Sequence, residues 1–274
     1  MNKSVADSGR ILITGGTTGL GFALVNQFLD EGYDVVATGR NLTKTPRCST
    51  RFTFIKADFG DLKQTSGTLK KICGDCRFDI VINNAGILGN PEFLFTDDGF
   101  ENTFQVNFLS HLLINEIILN NTKPDTPLKI AAIVSPVYRI AEKELAIRYR
   151  SKDYKPFKAY SGSKLSLALM CSYLPVKYPG YNLRCIGYDP GVFRSEIFRM
   201  QKEWFRVLYR IAAPVMRDPV IIAREFYNII RKDDLVNGMV YKSGKTKLFK
   251  SGIDKGAVDS FWKECNEIIE RYLV

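Results

Sequence analysis

The sequence predicts an α/β fold, a doubly wound parallel sheet with helices on both faces. Short apolar runs of strand length alternate with amphipathic segments of helical period along the 274 residues. A glycine-rich turn separates the first of these runs from the first helical segment. Strands that alternate with helices need crossover connections and lie parallel, and a parallel sheet is covered by helices on both faces.

Seven strands and five helices follow from this alternation. The predicted strands are Ile11–Thr14, Tyr33–Thr38, Phe52–Lys56, Phe78–Asn83, Lys129–Ser135, Asn182–Tyr188 and Met239–Tyr241. The predicted helices cover about residues 19–31, 61–72, 98–120, 158–177 and 219–231. Their ends carry suitable residues, since Glu31-Gly32 can end the first helix, Asp61 can cap the second, and Pro219 fits a first helical turn.

The composition predicts one domain over residues 1–274. With 45% hydrophobic residues the chain can bury a large core, and it has no apolar run long enough to cross a membrane. The polar N-terminus lacks the apolar stretch of a secretory signal, so we expect a cytoplasmic protein.

The net charge of +10 arises from Lys and Arg residues interleaved with acids, and no nucleic-acid-binding motif accompanies them. This pattern favours a solvated basic surface over a nucleic-acid partner.

The cysteines do not predict a metal site. Six are scattered along the chain, and only Cys73 and Cys76 are closely spaced. Because no second pair completes a zinc site, we expect reduced thiols and no bound metal.

The turn after the first strand predicts a nucleotide site. It reads Thr14-Gly15-Gly16-Thr17-Thr18-Gly19-Leu20-Gly21 and leads into a helix from Phe22. Glycines allow a tight turn and a close approach to a pyrophosphate, whose charge then meets free N–H groups at the positive end of the helix. Between the first strand and the first helix of a βαβ unit, such a turn is typical of a Rossmann-type fold. The residues assigned to the cofactor here are Gly15, Thr17, Thr18, Gly19, Leu20 and Gly21.

The end of the second strand indicates which dinucleotide binds. Sites that prefer NAD usually place a carboxylate there for the ribose hydroxyls, whereas this chain has Thr38-Gly39-Arg40-Asn41. Arg40 can pair bidentately with a phosphate. We therefore assign Arg40 and Asn41 to the cofactor and favour NADP(H). NAD(H) is the alternative if Arg40 is an ordinary surface residue.

Tyr160 and Lys164 form a candidate proton-handling pair. Residues four apart share one face of a helix, so the Lys164 ammonium can approach the Tyr160 phenol. A neighbouring cation favours phenolate, and we expect it to lower the pKa of Tyr160 from its usual value of about 10. The spacing alone is common and does not establish the pair.

Further motifs accompany this pair in order along the chain. They are Asn83-Asn84-Ala85-Gly86 after the fourth strand, Asn107 in a central helix, Ser135 after the fifth strand and Pro190-Gly191 after the sixth. With the glycine turn and Tyr160/Lys164, they resemble the short-chain dehydrogenase/reductase family over about residues 10–240. Within the family, the chain most resembles the retinol-dehydrogenase-like members. The features that carry this resemblance are Thr96-Asp97-Asp98-Gly99-Phe100-Glu101, Phe104-Gln105-Val106-Asn107, His111, the gap from Ser135 to Tyr160 and the run from Pro190 to Glu196.

The resemblance implies hydride transfer between a nicotinamide and a carbonyl/alcohol pair. Tyr160 would exchange the proton, Ser135 would hydrogen-bond the reacting oxygen, Lys164 would hold the nicotinamide ribose, and Asn107 would position a water in the relay. The further cofactor contacts that it implies are Asp58, Phe59, Asn84, Ala85, Gly86, Tyr160, Lys164, Pro190, Gly191, Val192 and Ser195.

Two residues near this site have a second interpretation. An alignment on Val137 would put Pro136 at the catalytic position, and proline has no hydroxyl. The strand length and the gap to Tyr160 favour Ser135. His111 is the one histidine in the chain, and without an apparent carboxylate partner it is expected to be a core residue rather than a base.

The segment at about 193–217 is expected to form a substrate lid. Its aromatic and apolar residues suggest a lipophilic substrate of retinoid, steroid or aliphatic aldehyde or ketone type. Residues 197–213 would equally suit a peripheral membrane contact or a contact in a homo-oligomer. A non-catalytic nucleotide-binding sensor or scaffold is the alternative function, and a hydrolase on the same fold is a weaker one.

Overall fold

The computed structural model describes most of the chain. The described residues are 9–42, 44–47, 50–75, 77–89, 91–142, 145, 147, 151–194, 216–242, 245–249 and 252–273. Ser195, Cys76 and most of the expected lid, including all of 197–213, lie outside them.

One eight-stranded sheet forms the centre of the fold. Its strands are β1 (Arg10–Ile13), β2 (Asp34–Gly39), β3 (Phe52–Lys56), β4 (Ile80–Asn83), β5 (Leu128–Ile133), β6 (Leu183–Tyr188), β7 (Met239–Lys242) and β8 (Lys245–Leu248). They are ordered β3-β2-β1-β4-β5-β6-β7-β8, and all neighbouring pairs are parallel except β7 and β8. The α/β fold class and all seven predicted strands are confirmed.

Helices cover both faces of the sheet. They are α1 (Gly19–Asp30), α2 (Leu62–Asp75), α3 (Asn102–Phe104), a π-helical stretch (Gln105–Leu109), α4 (Ser110–Asn120), α5 (Pro156–Lys177), α6 (Pro219–Ile230) and α7 (Lys255–Leu273). Short 3₁₀ helices occupy Pro136–Ile140 and Ser151–Asp153. All five predicted helices are present, although the third begins at 102 rather than 98. It begins there because Glu101 caps it, accepting hydrogen bonds from the N–H groups of Thr103 and Phe104.

Alternate residues of the strands bury the two faces in two cores. Leu12 of β1 packs in the core that α2, α4, α5 and α7 cover, whereas Ile11 and Ile13 pack in the core that α1 and α6 cover. This alternation is the one that side chains of a strand buried on both faces must show.

The predicted helix ends are also confirmed. Glu31 ends α1, and Gly32 follows with φ +86°, a conformation that glycine adopts at little cost. The Asp61 carboxylate accepts the N–H of Gln64 at 2.7 Å, as a capping residue does. Pro219 starts α6 behind the capping residue Asp218.

Among the strands and α-helices of the described residues, two elements were not predicted. Strand β8 is the short antiparallel edge of the sheet, and its sequence Lys-Thr-Lys-Leu lacks the apolar character of the other strands. Helix α7 buries Phe261, Trp262, Cys265 and Ile268–Ile269. Their spacing of three and four residues is the helical signal that could have revealed it.

The strand order fixes where a ligand can bind. Strand β1 pairs with β2 on one side and with β4 on the other, so the connections leave β1 and β4 toward opposite faces of the sheet. In such sheets a crevice opens at the carboxyl ends of these two strands. No helix among the described residues is long and apolar enough to span a bilayer.

Candidate active site

A cleft of about 1360 Å³ opens at this carboxyl edge. The glycine turn after β1 lines it, together with the ends of β2 to β6 and the first turns of α5. Of the residues expected at the site, the cleft is lined by Gly15, Thr17, Thr18, Gly19, Leu20, Gly21, Arg40, Asp58, Phe59, Asn84, Ala85, Gly86, Ser135, Tyr160, Lys164, Pro190, Gly191 and Val192. Asn41 is exposed outside the lining, Asn107 lies buried behind it, and Ser195 is not described.

The glycine turn has the backbone of an anion site. Gly15 and Gly19 have φ of +63° and +54°, conformations that other L-residues adopt only under strain. A Cβ at Gly21 would overlap the Gly15 carbonyl oxygen and lie 2.5 Å from Asn84 Nδ2. The N-cap residue of α1, Thr18, makes no side-chain cap. The turn therefore offers a close backbone and a helix N-terminus without a side-chain cap, which suits a pyrophosphate.

Hydrogen bonds join this turn to the loop after β4. Asn84 Nδ2 donates to the carbonyl of Thr14 at 2.9 Å and to that of Gly15 at 3.2 Å. In return, the N–H groups of Asn84 and Ala85 donate to Thr14 Oγ1 at 2.9 and 3.0 Å. The two loops are therefore fixed to each other.

Arg40 stands where the end of β2 meets the cleft. Its side chain is exposed and lines the cleft. Among the described lining residues, the only other Lys or Arg is Lys164, which lies at the Tyr160 end. Arg40 is thus the cation available to a phosphate at the β2 end.

Tyr160, Ser135 and Lys164 meet at the other end of the cleft. The Tyr160 phenol is hydrogen-bonded to Ser135, and Lys164 Nζ lies 5.9 Å from the centre of the Tyr160 ring. Lys164 is buried and donates to the carbonyl of Ile133 at 2.9 Å. Loop and helix therefore bring a phenol, a hydroxyl and an ammonium to one point.

The expectation of a lowered tyrosine pKa is wrong for this arrangement. Burial raises the pKa of Tyr160 to about 12, and the hydrogen bond from Ser135 offsets only part of this rise. Burial also lowers the pKa of Lys164 to about 8. The Lys164 ammonium does not offset this rise, because it is directed to the Ile133 carbonyl. Desolvation of the phenol is therefore the larger effect on the pKa of Tyr160.

The geometry favours Ser135 over Pro136 as the hydroxyl position. Ser135 follows β5 in extended conformation and carries the hydroxyl that reaches Tyr160. Pro136 begins the 3₁₀ helix, where proline fits a first turn.

Asn107 lies in the π-helical stretch, and its side chain holds the loop after β4. Its Oδ1 accepts the N–H of Ile87 at 2.7 Å, and its Nδ2 donates to the Ile87 carbonyl at 2.9 Å and to Ser163 Oγ at 3.0 Å. Both amide hydrogens of Asn107 are therefore used within the protein. Its role with a water stays a prediction.

His111 is buried and hydrogen-bonded through both ring nitrogens. Nδ1 lies 2.8 Å from the carbonyl oxygen of Asn107, and Nε2 lies 2.9 Å from Thr14 Oγ1. Burial lowers the pKa of the imidazole to about 4, so it is neutral at pH 7. These contacts are those of a core histidine.

Several apolar side chains line the same cleft as Tyr160 and form what we call its apolar wall. Phe157 lies three residues before Tyr160 on α5 and is 53% exposed, and Phe95 and Val192 are 60% and 69% exposed. Phe193 and Met216 complete this wall. Neither Phe95 nor Phe157 was predicted from the sequence, although Phe157 and Tyr160 are three residues apart and therefore share one helix face.

Two contacts hold the ends of the expected lid together at the cleft. Phe193 forms a parallel bridge with Arg217, and Arg194 pairs with Asp218. These two contacts place the start and the end of the segment next to each other at the cleft. What lies between, residues 195–215, is outside the described residues.

Asp189, which was also not predicted from the sequence, supports the turn after β6. It is fully buried, and its Oδ1 accepts the N–H of Gly191 at 2.9 Å, where φ is +72°. Its Oδ2 lies 3.7 Å from the guanidinium of Arg139, which follows the Ser135 loop. The pair connects the loops after β5 and β6.

Comparison with curated proteins finds retinol dehydrogenases and a related enzyme. Polyprenol dehydrogenase of Homo sapiens is 26% identical over 204 residues, covering 69% of this chain and 62% of that protein. Retinol dehydrogenase 13 of Mus musculus is 26% identical, covering 72% and 62%. Retinol dehydrogenase 12 of Homo sapiens is 27% identical over 245 residues, covering 86% and 76%. The chain spans about three fifths of the length of the first two relatives.

Solved structures share the fold. A protein from Mycobacterium paratuberculosis superposes with a TM-score of 0.71 at 21% identity, covering 98% of both chains. A short-chain dehydrogenase from Leptospira borgpetersenii, solved with NAD⁺, gives 0.68 at 21% identity over 89% of this chain and 94% of that one. ElxO, solved with NADP, gives 0.65 at 20% identity over 86% and 97%.

The family model described as short chain dehydrogenase matches residues 10–205, more than half of the chain. The match includes the glycine turn, Ser135, Tyr160 and Lys164. This chain therefore belongs to the short-chain dehydrogenase family and has retinol dehydrogenases among its relatives.

Proposed function

We propose that this chain is an NADP(H)-dependent oxidoreductase acting on a lipophilic alcohol or carbonyl compound. The observation that carries the proposal is the meeting of Tyr160, Ser135 and Lys164 in the same cleft as the glycine turn. A dinucleotide bound with its pyrophosphate at α1 would extend along that cleft toward Tyr160. Membership of the family supports an oxidoreductase.

The three side chains supply the proton chemistry. A bound nicotinamide supplies hydride chemistry that no side chain offers. With its pKa raised to about 12, Tyr160 keeps its proton at neutral pH and can donate it to the substrate oxygen in the reducing direction. Ser135 is placed to hydrogen-bond the same oxygen as charge develops. Lys164, whose ammonium is bonded to the Ile133 carbonyl at the same end of the cleft, would hold the nicotinamide ribose.

The choice of NADP(H) rests on Arg40. The neighbouring folds were solved with either NAD⁺ or NADP, so the fold alone selects neither. The exposed Arg40 guanidinium at the end of β2 can pair with the phosphate that distinguishes NADP from NAD.

The substrate class rests on the apolar wall. Phe95, Phe157 and Val192 leave more than half of their surface exposed in the cleft that Tyr160 also lines, and an apolar substrate would cover it. Two kinds of relative are named for apolar alcohols, polyprenol and retinol. Both observations support a lipophilic substrate.

The experiment is a turnover assay with purified protein. NADPH oxidation is followed with retinal, steroid ketones and long-chain aldehydes, and NADP⁺ reduction with the matching alcohols. Tyr160→Phe is expected to lower kcat/KM by roughly 10²- to 10⁴-fold with little change in NADPH binding, because it removes only the proton donor. Tyr173→Phe is the matched control, since this hydroxyl lies on the same helix but contacts Asn266 away from the cleft.

Full activity in folded Tyr160→Phe would overturn the mechanism. NADPH binding without turnover of any substrate would instead favour a sensor or scaffold. Ester hydrolysis without nucleotide would favour a hydrolase.

A further inference from the structure

The hydroxyl of Thr14 is the point where four groups meet beneath the cleft. It accepts the N–H groups of Asn84 and Ala85 at 2.9 and 3.0 Å. Its single proton must therefore go to an acceptor. Two are in reach, His111 Nε2 at 2.9 Å and the carbonyl of Ile82 at 3.3 Å.

The partner of His111 Nδ1 determines which ring nitrogen is the acceptor. His111 Nδ1 lies 2.8 Å from the carbonyl oxygen of Asn107, which can only accept. Nδ1 therefore carries the proton, and Nε2 is free to accept from Thr14. Burial lowers the pKa of His111 to about 4, which keeps this tautomer neutral at pH 7.

The result is a directed chain of hydrogen bonds under the cleft. It runs from the N–H groups of the loop after β4, through Thr14 and His111, to the backbone of Asn107 in the π-helical stretch. The Asn107 side chain returns to the same loop at Ile87. The glycine turn, the loop after β4 and the π-helical stretch are thereby tied together by one imidazole.

We propose that His111 is a positioning residue for the nucleotide. It orients the Thr14 hydroxyl so that the glycine turn and the Asn84–Gly86 loop hold the geometry that receives the cofactor. The inference rests on the proposed function, because it assumes that a dinucleotide occupies this cleft. His111 itself has no exposed surface and does not line the cleft.

Packing is the competing explanation. The imidazole makes an edge contact with Phe59, a residue of the cleft wall, at 5.6 Å between ring centres. Variants that separate volume from hydrogen bonding are therefore needed. His111→Leu fills space without polar atoms, and His111→Gln keeps an acceptor at the distance of Nε2 from the backbone.

The first test is NADPH affinity, measured by fluorescence titration of folded protein. His111→Leu is expected to weaken binding about tenfold, the order expected for one lost hydrogen bond, and to raise KM for NADPH more than it lowers kcat. His111→Gln should stay within roughly threefold of wild type, since Thr14 keeps its acceptor. Thr14→Val should cost less in the His111→Leu background than alone, by about the contribution of the Thr14–His111 hydrogen bond, because that bond is already lost there.

The second test does not depend on any variant folding. His111 is the only histidine, so tag-free protein labelled with ¹⁵N-histidine gives a single pair of ring-nitrogen signals. The spectrum should show a neutral ring with the proton on Nδ1 at pH 7, and NADP⁺ binding should shift the Nε2 signal.

Several results would overturn the inference. They are a proton on Nε2, an Nε2 signal unaffected by NADP⁺, wild-type affinity in folded His111→Leu, and additive effects of Thr14→Val and His111→Leu. These failures concern His111 alone when the wild type binds NADPH normally. Absence of NADPH binding by the wild type would remove the proposed function as well.

Discussion

Replacing Gly21 by alanine tests the packing of the nucleotide turn. Gly21 lies in the first turn of α1, where helix propensity alone would favour alanine by about 0.5–1 kcal/mol. The added Cβ would lie 2.5 Å from Asn84 Nδ2 and overlap the Gly15 carbonyl oxygen. Ordinary contacts are roughly 1 Å longer than that, so the turn has to move away from α1.

In Gly21→Ala, the free-energy cost of the close contact exceeds the gain in helix propensity. Forcing a methyl group into a packed site costs typically about 1–3 kcal/mol, and here the group that must move is backbone rather than a flexible side chain. We therefore expect Gly21→Ala to lower the free energy of unfolding by about 1–2 kcal/mol after the gain in propensity. Because the displaced turn carries N–H groups for the pyrophosphate, NADPH affinity should fall at least about tenfold, the order expected for one lost hydrogen bond.

Gly67→Ala is the matched control. Gly67 lies in the middle of α2, and a Cβ there would meet nothing within 4 Å. The same substitution should raise the free energy of unfolding by about 0.5–1 kcal/mol and leave NADPH binding unchanged. Urea denaturation and NADPH fluorescence titration measure both quantities. If Gly21→Ala matches Gly67→Ala in both assays, the tight turn over Asn84 is not the geometry of the protein.

Three further predictions concern single residues. Arg40→Ala should weaken NADPH by roughly 10- to 100-fold and leave NADH unchanged in fluorescence titrations, and equal loss for both would remove the phosphate argument. Phe157→Ala should raise KM for long apolar substrates but not for short ones, and a uniform change would contradict an apolar wall. Because burial lowers the pKa of His111 to about 4 from 6.5, the unfolded chain binds more protons between these values. The free energy of unfolding should therefore fall by up to about 3 kcal/mol more in wild type than in His111→Gln as the pH falls from 6.5 to 4 in urea titrations, and parallel curves would refute it.

The central strands were predictable because buried strands have consecutive apolar residues in their sequences. Strands β1, β4 and β5 are buried on both faces, and such strands read as short apolar runs. Strand β8 is an edge strand that alternates lysine with other residues, and its pairing with β7 depends on tertiary position. Sequence periodicity could not identify it.

The meeting of Ser135 with Tyr160 was also predictable in outline. Ser135 ends a parallel strand and Tyr160 lies near the start of the next helix, and such ends lie at one edge of the sheet. The pKa of Tyr160 was not predictable, because its direction depends on burial and on where the Lys164 ammonium points. Spacing along the helix contains neither quantity.

The apolar wall needed the folded chain. Phe95 lies in the loop after β4 and Val192 in the loop after β6, and nothing in their local sequence brings them together. Both line the cleft because both loops leave the same edge of the sheet.

The most direct test of the central claim is a crystal structure of the protein with NADP⁺. We expect a pyrophosphate over the N-terminus of α1, the adenosine phosphate at Arg40, and the nicotinamide ring against Tyr160 and Lys164. A nucleotide bound elsewhere, or one with its nicotinamide directed away from the Tyr160 hydroxyl, would contradict it.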